Sequence, residues 1–163
     1  LSLFEAEERI TNVWKPYHAR LHGLMSEAHG AFGEAILLDF HSMPHEAIDA
    51  VLRPGQVRPE VVLGDRFGAS CRSDLVDELE AAFEGAGLRV SRNTPFAGAY
   101  IAQHYGRPSR GWHAVQIEID RSLYMNERLI RPNGNFENVK SLLADVLRRV
   151  IGGGREQLPL AAE

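Results

Sequence analysis

Polar residues close four short apolar runs in this chain, and in that setting their side chains could carry hydrolytic chemistry. His41 follows Ala35-Ile36-Leu37-Leu38-Asp39-Phe40, and Asp65 follows Val61-Val62-Leu63-Gly64. Arg92-Asn93 follow Leu88-Arg89-Val90, and Glu118 stands near the end of Trp112–Ile119. In open α/β sheets ligands collect beyond the carboxyl ends of the strands, so these are the residues to weigh. An imidazole aimed by the strand before it can ligate a metal. A carboxylate flanked by Ile117 and Ile119 is partly desolvated, holds its proton more readily, and suits general acid–base work. Position alone leaves both open: His41 also reads as a plain polar strand end, and Glu118 as the ion-pair partner of Arg121. His45 is a possible second ligand, but Pro44 removes helical i, i+4 geometry between it and His41, so it reads as loop.

Other chemistries find less support. Gly68-Ala69-Ser70-Cys71 is a run of small residues entering a helix, and packing explains Cys71 without a nucleophile's role. Ser42 and His41 are adjacent on a strand end and so point in different directions. Neither a Gly-x-Ser-x-Gly elbow nor a Gly-x-x-x-x-Gly-Lys phosphate loop occurs. With 163 residues, 44% hydrophobic and 25% charged, the chain has the composition of one soluble globular domain with a real core. The net charge of -4 argues against a nucleic-acid surface, and no apolar run is long enough to span a bilayer. A single cysteine excludes an intrachain disulfide and agrees with a reducing, cytoplasmic compartment. Arginines number 16 against 2 lysines, and some can grip carboxylates in bidentate fashion. The chain opens Leu1-Ser2-Leu3 without Met, which reads as a processed or truncated product, or the ordered part of something longer.

The elements that must position these residues follow from periodicity. Apolar residues recur at helical spacing over 4–32, from Phe4 and Ile10 through Leu21 and Met25 to Phe32. Pro16 inside that stretch predicts two helices or a kinked one, and Ser2 with Glu5 fits a capping box. Residues 35–40 are almost wholly apolar, as in a strand buried on both faces of a parallel sheet. Val61–Leu63 and Leu88–Val90 read as further short strands, and Trp112–Ile119 as the longest. Helices are expected over 73–86 with Ser73 as cap, over 99–105, and over 136–151, with a frayed tail from 152. Strands alternating with helices indicate an α/β domain over 1–151 with a mainly parallel sheet.

Four segments resemble one known family. Leu37-Leu38-Asp39-Phe40-His41-Ser42-Met43-Pro44 is similar to its Asp-x-His-Ser-Met-Pro segment, and Val62 to Cys71 to its Leu-Gly-Asp-Arg-Phe-Gly segment. Arg92-Asn93-Thr94-Pro95-Phe96-Ala97-Gly98 and Gln116-Ile117-Glu118-Ile119-Asp120-Arg121-Ser122-Leu123-Tyr124-Met125 resemble two more. In this order, over about residues 1 to 150, they resemble the N-formylglutamate amidohydrolases, relatives of zinc carboxypeptidases and aspartoacylases.

The resemblance implies a three-layer α/β/α domain and hydrolysis of N-formyl-L-glutamate to formate and L-glutamate, a late step of histidine breakdown. It implies zinc held by an early His and Glu plus a later His, with His41 matching the later one and Glu118 the catalytic carboxylate. In that frame Arg92 and Arg121 are expected to hold the substrate's carboxylates. Asn93 and Tyr124 would form a hydrogen-bonding wall, and Asp65 would orient a ligand from outside. No His-x-x-Glu occurs in the chain. The resemblance therefore implies that roughly a hundred N-terminal residues of the parent, including two ligands, are absent, and that this extent alone is inactive. The partner expected is a small N-acyl amino acid, with neither nucleic acid nor membrane. Action on another N-acyl amino acid, or metal-free binding on the same scaffold, are the alternatives.

Overall fold

The computed structural model of the chain describes residues 1–49 and 51–153, and from residue 154 on the expected tail lies outside them. The first helix begins on the expected capping box: Glu5 N–H donates to Ser2 Oγ, and Ser2 N–H to the Glu5 carboxylate at 2.8 Å. Helix α1 (Leu3–Arg9) runs through a π turn (Ile10–Trp14) into α2 (Lys15–Phe32). The wide turn sits directly before Pro16, where the helical ladder must lose a donor. Gly33, at φ 79, closes α2 with its N–H on the His29 carbonyl.

The remaining elements are β1 (Ala35–Met43), β2 (Val61–Gly64), α3 (Ser73–Gly85), β3 (Val90–Arg92), α4 (Tyr100–Tyr105), β4 (Trp112–Asp120) and α5 (Phe136–Gly153). A small hairpin of β5 (Met125–Asn126) and β6 (Arg131–Pro132) precedes α5. Two placements shift from expectation. Arg72, not Ser73, occupies the cap of α3. The third strand starts at Val90, because Leu88 still spends its N–H on Phe83 at the exit of α3.

The main sheet has the order β1-β4-β2-β3. β1 and β4 are parallel, β2 and β3 are parallel, and β4 meets β2 antiparallel. The expected mainly parallel sheet is therefore mixed, built of two pairs running in opposite directions. Buried apolar strands read alike in either direction, so the sequence pattern carries no sign of this. One face carries Val61, Leu63, Val115, Ile117 and Ile119 against α3 and α5. The other carries Ala35 and Ala114 against Met25 of α2 and Tyr105 of α4, and Met43 and Val62 against Ile48.

β1 is the outer strand rather than one buried on both faces: Ile36 and Phe40 are each 40% exposed. It has a neighbour on one side only, so apolar composition does not translate into cover. Helix α1 buries none of its residues.

Gly64 marks a close crossing of backbones. A Cβ there would lie 2.6 Å from Gly98 N and 2.7 Å from the Ala97 carbonyl carbon, where the chain returns over the sheet. Gly98 itself has φ +109, open to glycine alone at low cost. Gly64→Ala is expected to cost about 3 kcal/mol of unfolding free energy in a urea titration, since the obstacle is backbone and cannot swing aside. Gly30→Ala, with nothing within 4 Å, is expected to raise stability by up to about 1 kcal/mol in the same measurement. Similar outcomes for the two would show that the crossing has room.

Candidate active site

Parallel pairing sets His41 of β1 beside Glu118 of β4 in register. Alternation along β4 puts Glu118 on the face shared with Ala114, Gln116 and Asp120, and along β1 puts His41 with Asp39 and Met43. The imidazole is therefore held between two carboxylates: Nε2 lies 3.0 Å from Asp39 Oδ2 and Nδ1 lies 3.9 Å from Glu118 Oε1. The Asp39 contact is close but not aligned as a hydrogen bond, and this buried oxygen has no other hydrogen-bond partner among the described residues. The ring is 43% exposed while Glu118 is nearly covered, so the pair opens outward from the imidazole side.

Glu118 is positioned from below. Gln116, two residues earlier on the same face, donates from Nε2 to Glu118 Oε1 at 2.9 Å and accepts the Ala99 N–H at 2.7 Å through Oε1. The amide is thus locked in one orientation by the loop that crosses Gly64. Val62, paired with Glu118 on β2, packs with Met43, Ile48 and Phe96 and keeps water from that flank. Burial pushes the Glu118 carboxyl above its ordinary range. His41, the Gln116 hydrogen bond and Arg121 pull it back, and Asp39 pushes it up.

Arg121 stands at the same sheet end, one residue past β4. Its Nε donates to Ser42 Oγ at 3.2 Å and one terminal nitrogen to the Ser42 carbonyl at 3.1 Å. Asp65, Asn93 and Arg92 lie elsewhere. Because β2 and β3 run against β4, their carboxyl ends fall at the opposite margin of the sheet. There Asp65 and Asn93 clamp each other, Asn93 Nδ2 donating to Asp65 Oδ1 at 2.6 Å and Asp65 N–H to Asn93 Oδ1 at 3.2 Å. Asn93 takes φ 59 to do this, a conformation asparagine tolerates better than most residues. Arg92 crosses to α3 and pairs with Asp77 and Glu80. Tyr124 packs with the α3–α5 core and against Phe136, and with His41, Phe40 and Ile119 it lines an apolar groove of about 450 Å³. The strand-end rule misplaces Asp65, Arg92 and Asn93 because it assumes strands of one direction.

Three groups escaped the sequence reading. Asp39 and Gln116 were findable by alternation, each two residues from His41 or Glu118. His45 was read as loop, yet its Nδ1 lies 2.7 Å from Asp120 Oδ2, one rung beyond Glu118 on the same face. Only folding joins those two. Cys71 is a packing residue as expected: burial, with Asp65 adding to it, pushes its thiol up to about 12.

A sequence model of the N-formylglutamate amidohydrolases matches residues 1–125, which takes in all four similar segments. The chain belongs to the N-formylglutamate amidohydrolase family. It is 33% identical to an N-formylglutamate deformylase of Pseudomonas aeruginosa over 93% of its own length and 58% of that protein's. With an N-formylglutamate deformylase of Pseudomonas putida it shares 35% identity over 76% of its length and 45% of the relative's. The crystal structure of N-formylglutamate amidohydrolase from Ralstonia eutropha JMP134 superposes with TM-score 0.85 at 34% identity, over 96% of this chain and 56% of that one. An Agrobacterium tumefaciens protein shares the fold, with TM-score 0.63 at 22% identity. The chain thus spans about half the length of these relatives. Among its described residues no helix is long and apolar enough to cross a membrane.

In this family member two of the similar segments meet at His41 and Glu118, and the other two build the turn that supports them. The carboxyl raised by burial has a consequence for stability. The folded state holds Glu118's proton above the ordinary 4.5, so the unfolded chain releases it first and folding weakens as pH climbs through that window. Glu118→Gln keeps the shape and drops the proton. Its stability relative to wild type is expected to rise between pH 4 and pH 7 in denaturant titrations. A difference that stays flat or falls would contradict the raised carboxyl.

Proposed function

We propose that this chain carries the acid–base part of a zinc-dependent amidohydrolase that hydrolyses N-formyl-L-glutamate to formate and L-glutamate, as in histidine breakdown. The observation that carries the proposal is the in-register pair, His41 Nδ1 beside the Glu118 carboxylate on one open face. The names of relatives at 33–35% identity support the substrate. Helices on both faces of the sheet support the finer assignment, a three-layer domain like that of the zinc carboxypeptidases.

The donors present fit one corner of a zinc site. His41 is half exposed, with Nδ1 on the Glu118 side and the Asp39 carboxylate 3.0 Å from Nε2, so a partly open imidazole stands between two carboxylates. Among the described residues no group of three His, Cys, Asp or Glu side chains is arranged to hold a metal, and a catalytic zinc takes about three protein ligands. The remaining ligands would have to come from outside the described residues. When bound, zinc supplies Lewis acidity to the formyl carbonyl and eases ionisation of a water. This chain's residues do the rest. Glu118 takes the proton of the attacking water and returns it to the departing amide nitrogen. Gln116 keeps Glu118 Oε1 in place between those two transfers. Arg121, whose third guanidinium nitrogen makes no hydrogen bond among the described residues, binds one substrate carboxylate.

Zinc content and formate release, measured together on protein with its metal site complete, test the reading. Glu118→Gln is expected to cut formate release about a thousandfold with zinc content unchanged. His41→Ala is expected to lose the zinc itself. Formate release by Glu118→Gln at the wild-type rate would remove Glu118 from the mechanism, and full activity without zinc would favour metal-free chemistry.

A further inference from the structure

N-formylglutamate carries two carboxylates, and Arg121 accounts for one. Arg92 is committed to α3 on the other face of the sheet. Arg58 is spent on Asp49 and the His45 carbonyl, and Arg66 donates to the Gly98 carbonyl. None of these three guanidinium groups is free to take the second carboxylate.

His45 has the features such a partner requires. It opens the 3₁₀ turn His45–Ile48, which follows β1 and lies over the same face as Glu118 through the contact of Ile48 with Met43 and Val62. Every polar atom of the residue but one is tied down. Its N–H donates to Glu127 at 2.9 Å, and its carbonyl accepts from Arg58 at 2.6 Å. Its Nδ1 faces Asp120 Oδ2 at 2.7 Å and Ser122 Oγ at 3.1 Å. Asp120 is 1% exposed and is itself held, its Oδ1 accepting the Ser122 N–H. Nε2 alone has no partner among the described residues, on a side chain 49% exposed. Ser122 is not the nucleophile of a triad here, because it shares Nδ1 with the aspartate instead of facing Nε2.

Spacing agrees. Same-face residues two apart on a strand are about 7 Å apart, so the Asp120 rung stands one step past Glu118. In an extended glutamyl group the amide nitrogen and the side-chain carboxylate are separated by four bonds of about 1.5 Å, a comparable reach. An imidazolium donates from both nitrogens, so Asp120 on one side and an incoming carboxylate on the other would clasp it between two negative charges.

We propose that His45, backed by Asp120, is the specificity residue that binds the side-chain carboxylate of an acidic N-acyl amino acid. The inference rests on the amidohydrolase reading for the location of the reacting amide. Its test needs no turnover: calorimetric titration of the protein with L-glutamate and with its neutral isostere L-glutamine. Wild type is expected to bind L-glutamate about tenfold or more tightly than L-glutamine. His45→Gln is expected to bring the two together by weakening L-glutamate alone, with its melting temperature unchanged. A general structural role would weaken both ligands alike and overturn the proposal. So would a preference that survives His45→Gln, or a wild type with none. Asp120→Asn, which leaves the imidazole in place without its charge partner, is expected to lose part of the preference. Formate release is scored separately: its absence from a protein that keeps a His45-dependent glutamate preference refutes the hydrolytic reading and leaves this one standing.

Discussion

The parallel contact of β1 with β4 is the constraint on which the site depends. It brings a residue from the first quarter of the chain beside one from the last third, and register decides which. A slip of one position would set His41 opposite Ile117 or Ile119 and turn the imidazole and the carboxylate to opposite faces. Nine consecutive paired residues resist such a slip, because Ala35 and Met43 at the two ends are both locked into separate cores. The same rungs place Asp39 beside Gln116 and Met43 beside Asp120, so one face of two strands carries almost every polar group the site uses.

Direction divides the sheet's work. β1 and β4 end at the margin that holds His41 and Glu118, while β2 and β3 end at the other, where Asp65 and Asn93 lock their turns together. Those turns reach Glu118 without touching it. The chain leaving Asn93 passes over Gly64, and the Ala99 N–H it delivers fixes Gln116, which in turn fixes Glu118. A glycine with no room for a Cβ and an asparagine at positive φ thus act on the carboxylate through two hydrogen bonds. Sequence motifs of this kind resemble active-site signatures and are in part signatures of the support.

The electrostatics are set by partial burial. Val62 and its neighbours strip water from one side of Glu118, while His41 and Gln116 offset the cost of its charge. The imidazole side stays open, as does the outer edge of β1, and the chain spans about half the length of its relatives. Phe40 is exposed beside an apolar groove, and the first helix buries none of its residues.

Much of this was legible in the residues alone. The capping box at Ser2 and Glu5, the effect of Pro16, the long β4 and the closing helix all follow from local preference and periodicity, which act over a few residues and need no partner. Alternation alone put Glu118, Gln116 and Asp120 on one face, and a strand end put His41 at a margin. What the tertiary structure decided was which strands pair and in which direction. That choice removed Asp65, Arg92 and Asn93 from the site, made β1 an outer strand, and joined His45 to Asp120 across 75 positions. Strand direction and order are set by loop closure and by the total cover each face can find, quantities spread over the whole chain. A short apolar run, the same to its neighbours whichever way it points, cannot carry them.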